Sequence, residues 1–309
     1  MNKIKIGTRG SKLALWQAYH VQTLLKAKNI ESEIIPFETK GDKILDVSIA
    51  KIGSKGVFTE EIEEQLAAGI IDIAVHSAKD MQSELPDGFE LIAFTERELV
   101  NDVLLSKNKE ANLNQPNIVI GTSSTRRVSM LRHLYPHVKT VPVRGNLQTR
   151  IARMEEGTCD ALLLAYAGMY RMGYSSLMVQ KLSIDEFTPA VGQGSITVEC
   201  CTSLDPAIKS AVKNAVTHAP SESRLICERA FLRKLQGGCS IPVFGLATLN
   251  NNEITIKGGV VSLDGKEIIR KEITGQISDA ETIGTKLAEE VLAAGGDRIL
   301  KEIRVELEG

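Results

Sequence analysis

The chain has 309 residues, 43% of them hydrophobic and 25% charged. That length is enough for two or three domains with separate cores, and a formal net charge of -2 excludes a general polyanion-binding surface. Five cysteines (Cys159, Cys200, Cys201, Cys227 and Cys239) form no CxxC pair, which argues against a zinc site and a disulfide framework and fits a reducing compartment.

In chain order, short apolar runs alternate with helical patterns, the signature of an α/β protein. A strand is predicted at Lys3–Ile6, a helix at Leu13–Lys26 and a strand at Glu33–Phe37. Because Met1 to Gly7 run straight into that first strand without a signal-peptide core, and no stretch is long enough to span a membrane, a cytoplasmic protein with no membrane partner is expected. A polar stretch then leads to Gly53-Ser54-Lys55-Gly56, which is too short and mismatched for a phosphate-binding loop. It reads as a glycine-hinged lid that carries Lys55 over a cleft.

A helix at Thr59–Ala68 precedes a strand at Ile71–Val75, which stops abruptly in His76-Ser77-Ala78-Lys79-Asp80. Ligands of open α/β sheets bind beyond the carboxyl ends of strands, where this polar cluster falls. His76, at the end of an apolar strand, fits a hydrogen-bonded structural residue better than a catalytic one. Further strands are predicted at Glu90–Ala93, Asn117–Ile120, Thr140–Val143, Ala161–Leu164 and Ile196–Glu199, with helices at Arg126–Leu134 and Leu147–Met154. After Pro220 the texture changes. A helix at Ser223–Leu235 leads to Gly237-Gly238-Cys239, then strands at Val243–Thr248, Glu253–Val261 and Glu267–Ile273, then helices at Asp279–Ala293 and Asp297–Leu307. Strands joined by Asn250-Asn251-Asn252 and Asp264-Gly265 and followed by helices describe a small α+β domain.

Two runs resemble each other. Ile4-Lys5-Ile6-Gly7-Thr8-Arg9-Gly10-Ser11 and Ile118-Val119-Ile120-Gly121-Thr122-Ser123-Ser124-Thr125-Arg126-Arg127 are each a strand, then Gly-Thr, then a hydroxyl-rich turn opening a helix. Glycine is expected to make the turn, and the hydroxyls to cap the free N–H groups, a natural site for carboxylate or phosphate. Two such turns suggest two similar lobes facing one cleft.

Arginine is concentrated between Gly121 and Arg171. Arg126, Arg127, Arg132, Arg144, Arg150, Arg153, Arg171 and Lys139 stand there against only Glu155, Glu156 and Asp160. The guanidinium fork suits carboxylates, so an anionic small molecule is indicated. Arg132 and Arg153 lie within helices and read as solvated faces. Nucleic acid is disfavoured, because 4% aromatic residues leave few stacking platforms. Asp80 differs from these cations, since a carboxylate among arginines stays ionised and can stabilise a substrate cation. Gly192-Gln193-Gly194 offers an amide on a turn. Cys239, between two glycines and Pro242, is either a displayed thiol or a small buried apolar residue.

These runs in this order resemble the porphobilinogen deaminase family, also called hydroxymethylbilane synthase. The resemblance covers essentially the whole chain and rests on Gly7 to Ala18, His76 to Asp80, Gly121 to Arg127, Arg144-Gly145-Asn146, Pro189 to Gly194 and Gly237-Gly238-Cys239. It implies an α/β protein with two lobes like those of type II periplasmic binding proteins and a small C-terminal α+β domain. The implied boundaries are 1–97 with 195–217, then 98–194, then 218–309. It implies a transferase of tetrapyrrole and heme biosynthesis that joins four porphobilinogens head to tail, with loss of ammonia. It further implies a dipyrromethane cofactor held by a thioether to Cys239, catalysis by Asp80, no metal and a monomer. Arg9, Ser11, Lys55, Ser77, Lys79, Thr122, Ser123, Ser124, Arg126, Arg127, Arg144, Asn146, Arg150, Arg171 and Gln193 are the implied binding residues for the acetate and propionate groups.

Three departures stand out. The family's Asp-Pro-Arg-Asp is Leu99-Val100-Asn101-Asp102 here, a proline two residues after the aspartate falls at Ser83 or Pro86, and an arginine after Glu-Cys is Cys201. A non-catalytic carboxylate receptor on the same two-lobed fold would explain the arginines but leave the thiol and the third domain without a task. A cysteine hydrolase would need a base beside Cys239, and the sequence offers none nearby.

Overall fold

A computed structural model describes residues 3–39, 59–238 and 240–308. Three sheets organise it. The first has the order β2-β1-β3-β10-β4, built from β1 (Ile4–Arg9), β2 (Ser32–Phe37), β3 (Ile73–Ser77), β4 (Phe89–Phe94) and β10 (Ile196–Cys201). The second has the order β7-β6-β8-β5-β9, from β5 (Asp102–Leu105), β6 (Val119–Gly121), β7 (Lys139–Val141), β8 (Ala161–Ala165) and β9 (Met178–Lys181). In each, four strands share one direction and one antiparallel strand is threaded between them from the other side of the molecule: β10 between β3 and β4, and β5 between β8 and β9. The two lobes thus share one strand order, the two-lobed arrangement that the resemblance implies. The third sheet is the antiparallel meander β11 (Val243–Asn250), β12 (Glu253–Val261) and β13 (Ile268–Gln276).

The paired runs fall on β1 and β6, which hold equivalent places in their sheets. Their glycines serve packing rather than the turn. A Cβ on Gly7 would lie 2.2 Å from Ile71 Cδ1, and one on Gly121 would lie 2.6 Å from Cys159 Sγ. Neither is among the residues with positive φ. The hydroxyls do cap: Ser11 Oγ accepts from Ala14 N ahead of α1 (Lys12–Lys26), and Ser124 Oγ accepts from Arg127 N.

Helix α2 (Glu60–Ala67) packs on the first sheet, while α3 (Thr125–Leu134) and α4 (Leu147–Glu155) flank the second. The first core sets Ile4, Ile6, Ile73 and Val198 against Ala18, Val21 and Leu25. The sequence reading missed α5 (Tyr166–Arg171), α6 (Pro206–Val216) and the strands β5 and β9. Helix α6 carried its own signals, an Asp205 cap accepting from Ala207 N and Pro206 in the first turn. Strand β5 had none, because Asp-Val-Leu-Leu is buried at all four positions and shows no alternation.

The third body packs α7 (Ala219–Lys234), α8 (Ala280–Val291) and α9 (Asp297–Glu308) on its sheet around Phe231, Ile256, Leu287 and Val291. Its Phe244 and Val261 are fully buried in the core of the second lobe, with Leu104, Ile120 and Leu163. The hairpin after β12 seats on α3, where Arg132 Nη1 donates to Leu263 O (2.6 Å) and His133 Nδ1 lies 2.8 Å from Gly265 O. Arg132 is exposed, as read, and its guanidinium also reaches the third body.

Two crossing segments join the lobes, and one buried carboxylate holds both. Glu228 of α7 accepts from Arg97 Nη1 and Nη2 (2.5 and 3.0 Å), Gly192 N (2.9 Å) and Ala247 N (2.8 Å). Gly192 and Gly194 have φ of 77° and 92°. A Cβ on Gly192 would lie 2.8 Å from the Ala78 carbonyl carbon, and one on Gly194 2.6 Å from Glu98 O. Only glycine fits either place.

Candidate active site

The turn that carries Asp80 grows directly out of β3. Ser77 is its last strand residue, Ala78–Asp80 form one tight turn, and Ala78 N donates to Ser195 O of the returning chain (3.0 Å). Gln17 Nε2 of α1 donates to Ser77 Oγ at 2.7 Å, fixing the strand end against the first helix. Lys79 and Asp80 are half-buried.

Across from this turn, the second lobe presents the openings of α3 and α4. Thr122 Oγ1 accepts from Ser124 N (3.4 Å), and Asn146 Oδ1 caps α4 by accepting from Thr149 N (2.9 Å). Arg150 Nε donates to Gly145 O (2.8 Å), folding its guanidinium back toward the Arg144 turn. Gly145 has φ of 107°, which lets that turn double back.

Electrostatics places these groups around one space. Asp80, Arg9, Arg127 and Arg144 all act on Arg150, whose pKa is pushed down to about 10, first by burial and then by Arg127. Burial also lowers Lys79 to about 8; Asp80 and Asp102 oppose that shift, while Arg127 and Arg126 add to it. Asp80 thus acts on both Lys79 and Arg150, and among the described residues Asp102 is a second carboxylate of the same set, already engaged by Arg126 and Arg127.

The arginines divide into two groups. Asp102, fully buried at the head of β5, takes Arg126 Nη2 at 2.7 Å and Arg127 through Nη2 (2.7 Å) and Nε (3.0 Å). Those two cations hold its carboxyl far below the ordinary carboxylate range against the opposing effect of burial. Arg126 also donates to Thr188 O (3.0 Å) and lies over the Phe187 ring, so it faces the interior of its own lobe. Gln193 Nε2 donates to Val100 O (2.7 Å) and Asp102 Oδ1 (3.1 Å). Arg171 donates to Gly194 O (2.8 Å) and lies 5.3 Å above the Trp16 ring of the first lobe. Arg126, Gln193 and Arg171, expected to bind ligand, are thus engaged with the protein itself. Asp102 is the residue whose role the sequence reading missed, since only the strand order brings it beneath α3.

Lys55 and Cys239 lie outside the described residues. Beside Cys239, Ile241 N donates to Gly238 O (3.1 Å), and α7 ends at Gln236 with φ of 49° and Gly237 N bonded to Leu232 O (3.0 Å). The helix stop is therefore made by Gln236 in the left-handed region, rather than by the glycines after it.

Two buried polar atoms near the α3 and α4 openings, Ser123 Oγ and Arg144 Nη1, have no hydrogen-bond partner among the described residues. Both donate, as do Lys79, Arg127 and Arg150, so the donor set fits a group bearing several carboxylates. No group of three or more His, Cys, Asp or Glu suited to a metal ion occurs among the described residues.

Fold and sheet order define a two-lobed α/β protein with a small third domain. Residues 4–209 match the family model described as porphobilinogen deaminase, dipyromethane cofactor binding domain, and residues 223–293 match that of the porphobilinogen deaminase C-terminal domain. A porphobilinogen deaminase of Cytophaga hutchinsonii is 56% identical over 306 residues, with 98% of each chain covered. One of Desulfosudis oleivorans is 53% identical over 304 residues, again with 98% of each covered. Among solved structures, the periplasmic VFT2 domain of Bordetella pertussis BvgS aligns with 69% of this chain and 86% of its own, at 14% identity and a TM-score of 0.42. The chain belongs to the porphobilinogen deaminase family.

Proposed function

We propose that the chain joins four porphobilinogen molecules head to tail, releasing ammonia at each step, to give hydroxymethylbilane from a covalently held dipyrromethane. The observation that carries this reading is the Asp80 carboxylate, which acts on Lys79 and Arg150 beside Arg127, Arg144 and Arg9. Each ring of the substrate carries an acetate and a propionate, and the cations answer those charges. Loss of ammonia leaves the substrate cationic, and Asp80 is the group that offsets that charge. At an effective dielectric of about 20, opposite unit charges about 4 Å apart attract by roughly 4 kcal/mol. A cation that exists only along the reaction path therefore draws on Asp80 for about three decades of rate.

The residues divide by task. Lys79, Ser123, Arg127, Arg144 and Arg150 hold substrate and cofactor carboxylates, with Arg9, Ser11, Ser77, Thr122, Ser124 and Asn146 shaping the same rim. Arg126, Gln193 and Arg171 act at one remove, through Asp102 and the crossing segments. Cys239 is the attachment point. When bound there, the dipyrromethane supplies the nucleophilic ring carbon from which the chain grows. We assign 1–97 with 195–217 to the first lobe, 98–194 to the second and 218–309 to the cofactor-bearing domain. We also propose that the enzyme works as a cytoplasmic monomer without nucleic acid.

Intact mass tests the reading directly. The purified chain is expected to exceed its sequence mass by two porphobilinogens less two ammonia, and Cys239→Ser to lack that adduct. An unmodified chain with full activity would overturn it.

A further inference from the structure

Beneath the Asp80 turn lies a cluster of ionisable groups that substrate binding does not use. His76 is buried on β3, and its Nε2 sits 3.1 Å from Oε2 of Glu199, a fully buried residue of β10. His76 faces Thr197 in the strand register, so Glu199, two residues on, is its diagonal neighbour on the same face of the sheet. Glu199 also stands where the pairing of β10 with β4 shifts register, an irregularity that re-aims side chains. The approach is a close contact without hydrogen-bond alignment: His76 Nε2, both Glu199 oxygens and Glu63 Oε1 on α2 all lack a hydrogen-bond partner among the described residues. Buried carboxylate oxygens left this way are costly unless the arrangement is retained for a task.

The cluster continues around the turn. The Thr59 hydroxyl bonds the Glu63 carboxyl, which burial pushes upward and Glu199 pushes further. Gln82 Nε2 donates back to Thr59 Oγ1 (3.3 Å). Arg229 of α7 donates to the carbonyls of Gln82 (3.0 Å) and Ser83 (3.4 Å), and Glu199 acts on it electrostatically. The residue entering the turn meets Glu199, those leaving it are bonded to Thr59 and Arg229, and the charge of Glu199 acts on both Glu63 and Arg229.

We propose that His76 and Glu199 are positioning residues: their diagonal contact pins the register of β3 on β10 and, with Glu63, Thr59 and Gln82, sets where Asp80 stands in the cleft. This rests on the reading of Asp80 as the catalytic carboxylate. The brace touches no substrate. It acts by denying the turn the shift of about 1 Å that costs an enzyme on the order of a hundredfold.

The test uses cofactor-loaded enzyme, with turnover expressed per adduct-bearing molecule. His76→Ala and Glu199→Ala are expected to lower kcat by about 10- to 100-fold while KM stays within about twofold, since the carboxylate-binding cations of the second lobe are untouched. Glu199→Gln, which keeps an acceptor opposite His76, is expected to recover at least about tenfold of the Glu199→Ala loss. Hydrogen exchange of amides 77–83 is expected to accelerate in both alanine variants. A lowered Tm with unchanged kcat and unchanged exchange over 77–83 would overturn the proposal. If neither alanine variant folds, Gln82→Leu decides at the far end of the network: slower turnover and faster exchange support the brace, and wild-type values for both reject it. Asp80→Asn measured alongside separates the two claims. If it stays active, the reading of Asp80 fails, while the exchange data still report on the brace.

Discussion

The two lobes have the same strand order but pair their buried carboxylates differently. In each, an antiparallel strand enters from the other half of the molecule and carries a fully buried carboxylate, Glu199 on β10 and Asp102 on β5. Glu199 sits within its sheet and meets an imidazole, behind a turn that offers a carboxylate to the cleft. Asp102 sits at the very head of its strand and meets two guanidiniums, so the helix above it offers cations. One scaffold thus sets its buried carboxylate against an imidazole behind the Asp80 post, or against two guanidiniums that form a positive wall.

The sharpest way to break this contrast is to neutralise the post. Asp80→Asn is expected to keep the covalent adduct and lose about a thousandfold in turnover, read by single-turnover assay. Near-normal turnover would leave the first lobe with no chemical part.

Removing the anchor of the wall comes next. Asp102→Asn strands Arg126 and Arg127 in a buried site with one carboxylate fewer, and is expected to cost about 3–5 kcal/mol of stability by denaturant unfolding. The carboxyl lies below its ordinary range. Its contribution is therefore present above the unfolded pKa of about 4 and is lost as pH falls below it. Acid denaturation of the wild type should carry this component, and Asp102→Asn should lack it.

The likeness of the lobes is open to a gentler test. Gly7→Ala and Gly121→Ala both force a Cβ into a packed neighbour, and each is expected to destabilise by roughly 1–3 kcal/mol. A thermal melt in which only one of them matters would show that the two glycines are alike in sequence alone.

The smallest effect is in pH. Lys79 lies at about 8, below its ordinary 10.5, because its charged form is buried. Between those two values the unfolded chain binds more protons than the folded one, so this group makes stability rise with pH. Its charge in the cleft is lost over the same range. KM is expected to rise a few-fold as pH passes through about 8, without loss of Tm, and Lys79→Arg is expected to remove that rise.

Much of the fold was legible from the sequence because its strands and helices are periodic and capped. Ser11, Ser124 and Asn146 sit where helix-opening residues should, and all three accept the expected backbone N–H. The end of β3 was legible as a polar break after an apolar strand, with Asp80 on the turn that follows. What was not legible depends on neighbours distant in sequence. Arg126, Arg171 and Gln193 read as ligand contacts because arginines and amides beside turns often are. Their actual partners, Asp102, Trp16, Gly194 and Val100, lie between 23 and 155 residues away along the chain. Gly7 and Gly121 read as turn residues, whereas the reason for each is a side chain packed against the place where its Cβ would be.

The carboxylate that gathers both crossing segments also sets an order of events at the ribosome. Arg97 and Gly192 are synthesised before Glu228, since chains are made from the N-terminus onward. Until α7 arrives, the Arg97 guanidinium has no counter-ion from Glu228 and the N–H of Gly192 has no acceptor there. The nascent two-lobed part is therefore an unfinished joint, and the last third of the chain acts as the clasp that closes it.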